Sequence, residues 1–126
     1  MAKARILLVE DEPDIAETVK AILKMHDYEV SVASDGVEGL NKARNEKPDI
    51  VILDIILPEM SGFDVCRKIK CDKKCRNILV IMFSSKFQPN DITFAKAMGA
   101  DGYITKSAEP ETLVSKINEL LKNKTK

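Results

Sequence analysis

The sequence predicts an α/β fold, a doubly wound sheet of five parallel strands with helices on both faces. Three observations carry that expectation. Five short β-type runs alternate with five helix-type segments along the chain. Three of the runs are nearly unbroken apolar stretches, as expected of strands covered on both faces. No internal repeat, low-complexity tract or linker-like stretch interrupts the alternation.

The predicted strands are Arg5 to Val9, Tyr28 to Ala33, Ile50 to Leu53, Ile78 to Phe83 and Gly102 to Ile104. The first helix is expected from about Pro13 to Met25, with proline suited to its first turn and Ile15, Val19, Ile22 and Leu23 forming one apolar stripe. The second spans about Gly36 to Asn45, capped by Asp35, with Val37, Leu40 and Ala43 inward and Pro48 beyond its end. The third runs from about Gly62 to Ile69, with Val65 and Ile69 four apart, and the fourth from about Asn90 to Met98, ended by Gly99. The fifth covers about Pro110 to Leu121, with Leu113, Ile117, Leu120 and Leu121 on one face and Glu109 and Glu111 at its start. Right-handed crossovers leave few strand orders. Five strands favour the flavodoxin-like order 2-1-3-4-5 over a Rossmann-like one.

The chain has 126 residues, enough for one domain with one core, and we expect residues 1–126 to form a single domain. No apolar run approaches the roughly 20 residues of a membrane helix. The early basic residues and short apolar run mimic a weak signal peptide, but Glu10, Asp11 and Glu12 stand where a small-residue cleavage site is needed. We therefore expect a soluble, cytoplasmic protein without membrane attachment. Lysine plus arginine and aspartate plus glutamate each total 20, so no global field attracts nucleic acid or anionic lipid. The lysine-rich tail reads as a frayed helix end. Cys66, Cys71 and Cys75 are an odd set without a second ligand cluster, and the one histidine, His26, is far away in sequence. They read as structural or surface thiols rather than a disulfide or metal site.

In the predicted strand order the carboxyl ends of strands one and three meet at the topological switch point, where such sheets bind ligands. Glu10, Asp11 and Glu12 follow strand one, and Asp54 follows strand three. Glu10, Asp11 and Asp54 in one crevice repel one another and need protonation or a cation. Oxygen ligands in small number favour Mg2+ over Ca2+. Strand four delivers Ser84 and Ser85, and strand five leads into Thr105 and Lys106. A carboxylate nucleophile faced by a hydroxyl, an ammonium and a metal ion suits phosphoryl transfer to an aspartate.

The segments VEDEPD (Val9 to Asp14), DIILPEMSGFD (Asp54 to Asp64), VIMFSSK (Val80 to Lys86) and GADGYITK (Gly99 to Lys106) resemble the receiver domain of two-component response regulators, chemotaxis-regulator-like single-domain forms included. The likeness covers essentially the whole chain, and the ordered set of motifs at strand ends is specific. It implies that Asp54 is the phosphoacceptor and that Asp11 binds Mg2+ directly, with Glu10 one layer further from the ion. It implies further that the Ile56 backbone carbonyl completes the metal site and that Ser84 and Lys106 bind phosphoryl oxygens. Tyr103 would be an aromatic switch, and Pro58 and Gly62 would shape the loop. The implied phosphate donor is a sensor histidine kinase or phosphotransfer protein. The implied output is a changed surface of the fourth helix, fifth strand and fifth helix, including Lys86, Phe87 and Lys96, read by a downstream effector or a fused output domain. No direct nucleic-acid binding is implied, and the chain is expected to be a monomer or a phosphorylation-dependent dimer.

Two positions depart from the receiver pattern. Ser107 follows Lys106 where receivers usually carry proline, often with a cis bond. A cis bond here would cost roughly 3 kcal/mol, which leaves the geometry of that bond, and the reach of Lys106, open. Ile56 sets a bulky apolar side chain beside the site, where hydrolysis needs a positioned water, so slow self-dephosphorylation is expected.

Blander roles compete for several residues. Glu12 and Asp14 suit the first helix's N-terminus. Ser84 could satisfy a strand-end backbone group, Ser85 is small filler, Lys106 could be a surface charge, and Tyr103 could be strand packing. His26 suits a solvated helix end, and Met60, Met82 and Met98 suit packing. The main alternative function is a Mg2+-dependent phosphohydrolase with an aspartyl-phosphate intermediate. Such enzymes usually place a second aspartate where this chain has Ile56. A nucleotide binder is disfavoured by the acidic, glycine-free loop after strand one. A degenerate docking-only receiver is disfavoured by the intact acid set. The sequence names neither the cognate kinase nor the output.

Overall fold

Along each strand of the protein, successive side chains point to opposite sides, and in the central strands both sides are buried and mostly apolar. The computed structural model describes residues 4–85 and 88–124. Its elements are β1 (Arg5–Val9), α1 (Pro13–Met25), β2 (Glu29–Ala33), α2 (Gly36–Glu46), β3 (Ile50–Leu53), α3 (Gly62–Cys71), β4 (Leu79–Ser84), α4 (Pro89–Ala97), β5 (Gly102–Thr105) and α5 (Pro110–Lys124). The strands form one parallel sheet in the order β2-β1-β3-β4-β5, as the alternation predicts.

Two apolar layers sandwich the sheet. Leu7, Val9, Val51, Leu53, Val80 and Met82 meet Leu40 and Ala43 of α2, Val65, Cys66 and Ile69 of α3, and Ala95 of α4. Ile6, Leu8, Ile50, Ile52, Ile81, Phe83 and Ile104 meet Ala16, Val19 and Leu23 of α1 and Leu113, Val114 and Ile117 of α5. Two-sided burial explains why the central strands are unbroken apolar runs. The residues at α1 and α5 match the expected stripes, with Ile15, Ile22, Leu120 and Leu121 packed at the margin.

Local chemistry sets the helix ends. Asp35 caps α2 by accepting the Glu38 N–H at 2.8 Å, and Glu38 accepts the Ser34 N–H at 2.8 Å. Ser61 caps α3 by accepting the Asp64 N–H at 3.2 Å. Pro13 opens α1, and His26 closes it through its backbone N–H. The cysteines are free: Cys66 and Cys75 are buried and Cys71 is exposed. Burial pushes the Cys66 thiol up to about 12, so it stays protonated and unreactive.

The structure corrects one inward assignment. Val37 does not face the core but is 41% exposed. Gly36 and Gly39 share the buried face of α2 with Leu40 and Ala43 instead. An added Cβ at Gly39 would come within 2.8 Å of Val9, and one at Gly36 within 2.5 Å of the Met60 carbonyl. The helix therefore packs through its glycines, which apolar periodicity does not count. Strands β4 and β5 also run one residue further than expected, because Ser84 pairs with Thr105 and the backbone ladder continues through polar residues. Helices α3 and α5 extend to Cys71 and Lys124. Lys86, Phe87, Thr125 and Lys126 lie outside the described residues.

Leu40→Ala should cost about 2–5 kcal/mol, because it empties a buried site. Val37→Ala should stay within about 0.5 kcal/mol of the parent, because it changes an exposed helix position. Urea unfolding midpoints at constant slope would measure both.

Candidate functional site

The site is built by strand register. Val9 of β1 pairs with Leu53 of β3, so Glu10 and Asp54 leave the sheet side by side. The Asp54 N–H donates to the Val9 carbonyl at 3.2 Å, and the Glu10 N–H to the Ala33 carbonyl at 2.9 Å. Across the switch point, Ser84 pairs with Thr105, and the Lys106 N–H donates to the Ser84 carbonyl at 2.8 Å. Three separate strand ends thus deliver two acids and a lysine to one crevice.

Lys106 is the hub of that crevice. Its Nζ donates to Asp54 Oδ2 at 2.8 Å and lies 2.7 Å from Glu10 Oε1 and 3.9 Å from Glu12 Oε1. Glu10, Asp54 and Ser84 are buried. Burial raises the Glu10 carboxyl pKa, more than the Lys106 and Glu12 N–H contacts lower it. Burial alone would lower the Lys106 pKa, but the hydrogen bonds and charges of Asp54 and Glu10 outweigh it and hold it above the usual lysine value. The ammonium stays charged and is the cation that makes paired buried carboxylates tolerable. The Lys106–Ser107 bond is trans, since no peptide bond among the described residues is cis, and Lys106 reaches Asp54 without proline's help.

The residues suit a hard dication. Glu10 Oε1 is fully buried, and the Lys106 ammonium at 2.7 Å is its one partner among the described residues. Glu10, Asp11 and Glu12 each offer a carboxylate oxygen within 4.8 Å of the others. A buried carboxylate oxygen with a single cationic partner, beside exposed acids, is the oxygen-donor chemistry that Mg2+ takes, with waters filling its shell. Glu12 stands in this converging trio as well as at the N-cap of α1. Asp54 lies outside the trio, and its Oδ2 is turned to Lys106.

The loop after β3 closes the site. The Ile56 N–H donates to Asp54 Oδ1 at 3.3 Å, while the Ile56 side chain is 76% exposed. The Gly62 N–H donates to the Ile55 carbonyl at 2.7 Å and seats the start of α3 against the loop that follows Asp54. A Cβ at Gly62 would lie 1.9 Å from the Asp54 carbonyl oxygen. Tyr103 is half-buried on β5, packs against the α2–α4 layer and carries the Lys96 ammonium 5.9 Å from its ring centroid. The specific Lys106–Glu10 pair is an addition to the sequence reading, which sets the ammonium opposite the carboxylates as a group. The signal for it is the same register that brings Asp54 to Lys106.

Comparison with known proteins agrees with this architecture. Residues 6–118 match the family model of the response regulator receiver domain. Protein PilH of Pseudomonas aeruginosa is 39% identical over 118 residues, which cover 94% of this chain and 98% of PilH. The DNA-binding response regulator MtrA of Mycolicibacterium smegmatis is 33% identical over 120 residues, 95% of this chain but 51% of MtrA. The chain therefore spans about half the length of that relative. The solved response regulator receiver domain protein (CheY-like) of Methanospirillum hungatei has a TM-score of 0.92 at 34% identity, covering 98% of each chain.

Gly62→Ala should destabilise the protein by about 1–3 kcal/mol, because backbone atoms on both sides must move to admit a methyl group. Gly102→Ala, whose Cβ would meet the Lys116 side chain at 3.4 Å and the Leu120 side chain at 3.7 Å, serves as the comparison and should be much milder. Denaturant unfolding of both variants checks the difference.

Proposed function

The chain belongs to the response regulator receiver domains, and from that membership we propose that Asp54 is the phosphoacceptor on which its switch turns. The family's function is a phosphorylation-activated signalling switch rather than multiple-turnover catalysis, and no helix among the described residues is long and apolar enough to cross a membrane. The observation that supports Asp54 is its buried carboxylate at the tip of β3, hydrogen-bonded by Lys106.

The donor is the phosphohistidine of a sensor kinase or phosphotransfer protein. An Asp54 oxygen attacks phosphorus, the P–N bond breaks, and the imidazole keeps the electron pair. Lys106 neutralises charge on the transferring oxygens. Asp11, Glu10, Asp54 and the Ile56 carbonyl would hold Mg2+, which when bound supplies further charge neutralisation. The product carries about −2 charge in place of about −1, with strong acceptor oxygens. Ser84 and Lys106 are drawn toward those oxygens. Tyr103 then repacks into the space that Ser84 vacates, and the α4–β5–α5 surface shifts between two packings. That surface signals to a downstream effector or a fused output domain. A Mg2+-dependent phosphohydrolase is not favoured, since Ile56 offers no general acid.

Incubation with a small phosphodonor and Mg2+ should add one phosphoryl mass that is acid-stable and base-labile. Asp54→Asn should add none. Sustained phosphate release over many turnovers would instead support the hydrolase.

The exposed Ile56 side chain keeps water from being positioned at the aspartyl phosphate. Ile56→Asn should therefore lose the phosphoryl group faster, by about 2- to 10-fold, a barrier change of up to about 1.4 kcal/mol. A decay time course of the phosphorylated protein measures it, and an unchanged rate would remove the role assigned to Ile56.

A further inference from the structure

The chain is neutral overall, but its charge is unevenly placed. Of the ten residues from Arg67 to Arg76, six are basic and only Asp72 is acidic. Asp72 is already engaged, by Arg44 at 3.3 Å and by the Lys74 N–H at 2.8 Å. Lys70 is engaged too, by Asp101 at 2.8 Å and the Ile78 carbonyl at 2.7 Å. Arg67, Lys68, Lys73, Lys74 and Arg76 are exposed, and no ion pair among the described residues reaches them. The Arg44–Asp72 bridge draws the end of α2 to this loop, which brings the exposed Lys47 to the same side.

Favourable interaction with the α3 dipole accounts for Lys68 and Lys70, which sit in its last turn. It does not account for Lys73, Lys74 and Arg76, which lie beyond the helix. We propose that this basic surface, made by the end of α3, the α3–β4 loop and Lys47, docks an acidic polypeptide segment of a partner protein.

Charge complementarity and the shape of the backbone choose that occupant. Helix C-termini, not N-termini, meet at this end, so no cradle of backbone N–H groups is offered to phosphates. No aromatic residue occurs between Phe63 and Phe83, so bases find no stacking platform. The exposed large apolar residues, Met25, Val37, Ile56 and Phe94, are absent from the segment, so nothing there inserts into a bilayer. The surface lies at the end of the sheet where β3 and β4 begin, and Asp54 lies where β3 ends. Docking there leaves the phosphorylation site open, so tethering and phosphoryl transfer can proceed together.

Titration of the full, isotope-labelled chain with a hexaglutamate peptide tests the proposal by amide chemical-shift mapping. Shifts should concentrate at Arg67 to Asn77 and Lys47, and affinity should fall with added salt. Lys68→Glu/Lys73→Glu/Lys74→Glu should weaken binding by about tenfold or more, and the corresponding triple glutamine variant by less. Lys20→Glu/Lys24→Glu on α1 should bind as the parent does. All variants should still accept a phosphoryl group from a small donor, which separates this result from the role of Asp54. Shifts spread evenly over Lys20, Lys24 and Lys116, or an unweakened triple variant, would overturn the proposal. Tighter binding of a DNA duplex or of phosphatidylserine vesicles to this surface would overturn it as well, in favour of those partners.

Discussion

The contact on which the site depends is the Lys106 ammonium shared between Asp54 and Glu10. Removing a carboxylate from water costs several kcal/mol unless a counter-charge accompanies it. Here two carboxylates are buried within reach of one ammonium. Lys106 must therefore be held in place rather than left to find its partners. The backbone hydrogen bond from Lys106 to Ser84 and the β4–β5 ladder hold it. The fold is what makes the ion pair possible, and the ion pair is what lets the fold end its central strands in acids.

The same dependence explains the loop after β3. Asp54 can be both buried and oriented only if the backbone around it is fixed, and Gly62 is where that is done. With hydrogen in place of a side chain, α3 comes up against the Asp54 carbonyl, and its first N–H groups are tied into the loop and the Ser61 cap. Its next residue, Phe63, meets Phe94 of α4 edge-to-face at 4.7 Å between ring centroids. Helix α4 has one buried residue, Ala95. It is therefore a lightly anchored element beside a rigid one, a suitable place for a surface that changes with the state of the site.

The fold is legible because parallel strands buried on both faces leave a strong pattern, and so are the strand-tip acids, since topology alone brings Glu10 and Asp54 together. Other features are not legible, for identifiable reasons. Apolar periodicity puts Val37 inside because it takes no account of glycine, and close packing at Gly36 and Gly39 turns that face of α2 outward. Strand ends at Ser84 and Thr105 escape it because ladder hydrogen bonds depend on the backbone and not on side-chain polarity. The Lys106–Glu10 pair is a side-chain choice between nearby acids, which a strand register brings within range but does not make. Position alone assigns Glu12 to the helix end. In the fold its side chain makes no cap hydrogen bond, and its carboxylate lies within 4.8 Å of those of Glu10 and Asp11.

One ammonium holding two acids also limits what the resting arrangement can do. Lys106 Nζ contacts Glu10 and Asp54 at 2.7 and 2.8 Å, so it cannot follow a phosphoryl oxygen outward from Asp54 without loosening its hold on Glu10. Among the described residues Glu10 Oε1 has no partner besides Lys106, and it would need another cation near it. Asp11 and Glu12 stand where such a cation would be shared. A shift of Lys106 toward the proposed phosphoryl group and a cation seated among the strand-one acids would therefore be coupled by electrostatics, each lowering the cost of the other. Under the proposed phosphorylation of Asp54, that coupling would give two electrostatically balanced states and make the half-way arrangement, with a buried acid uncompensated, the unfavourable one.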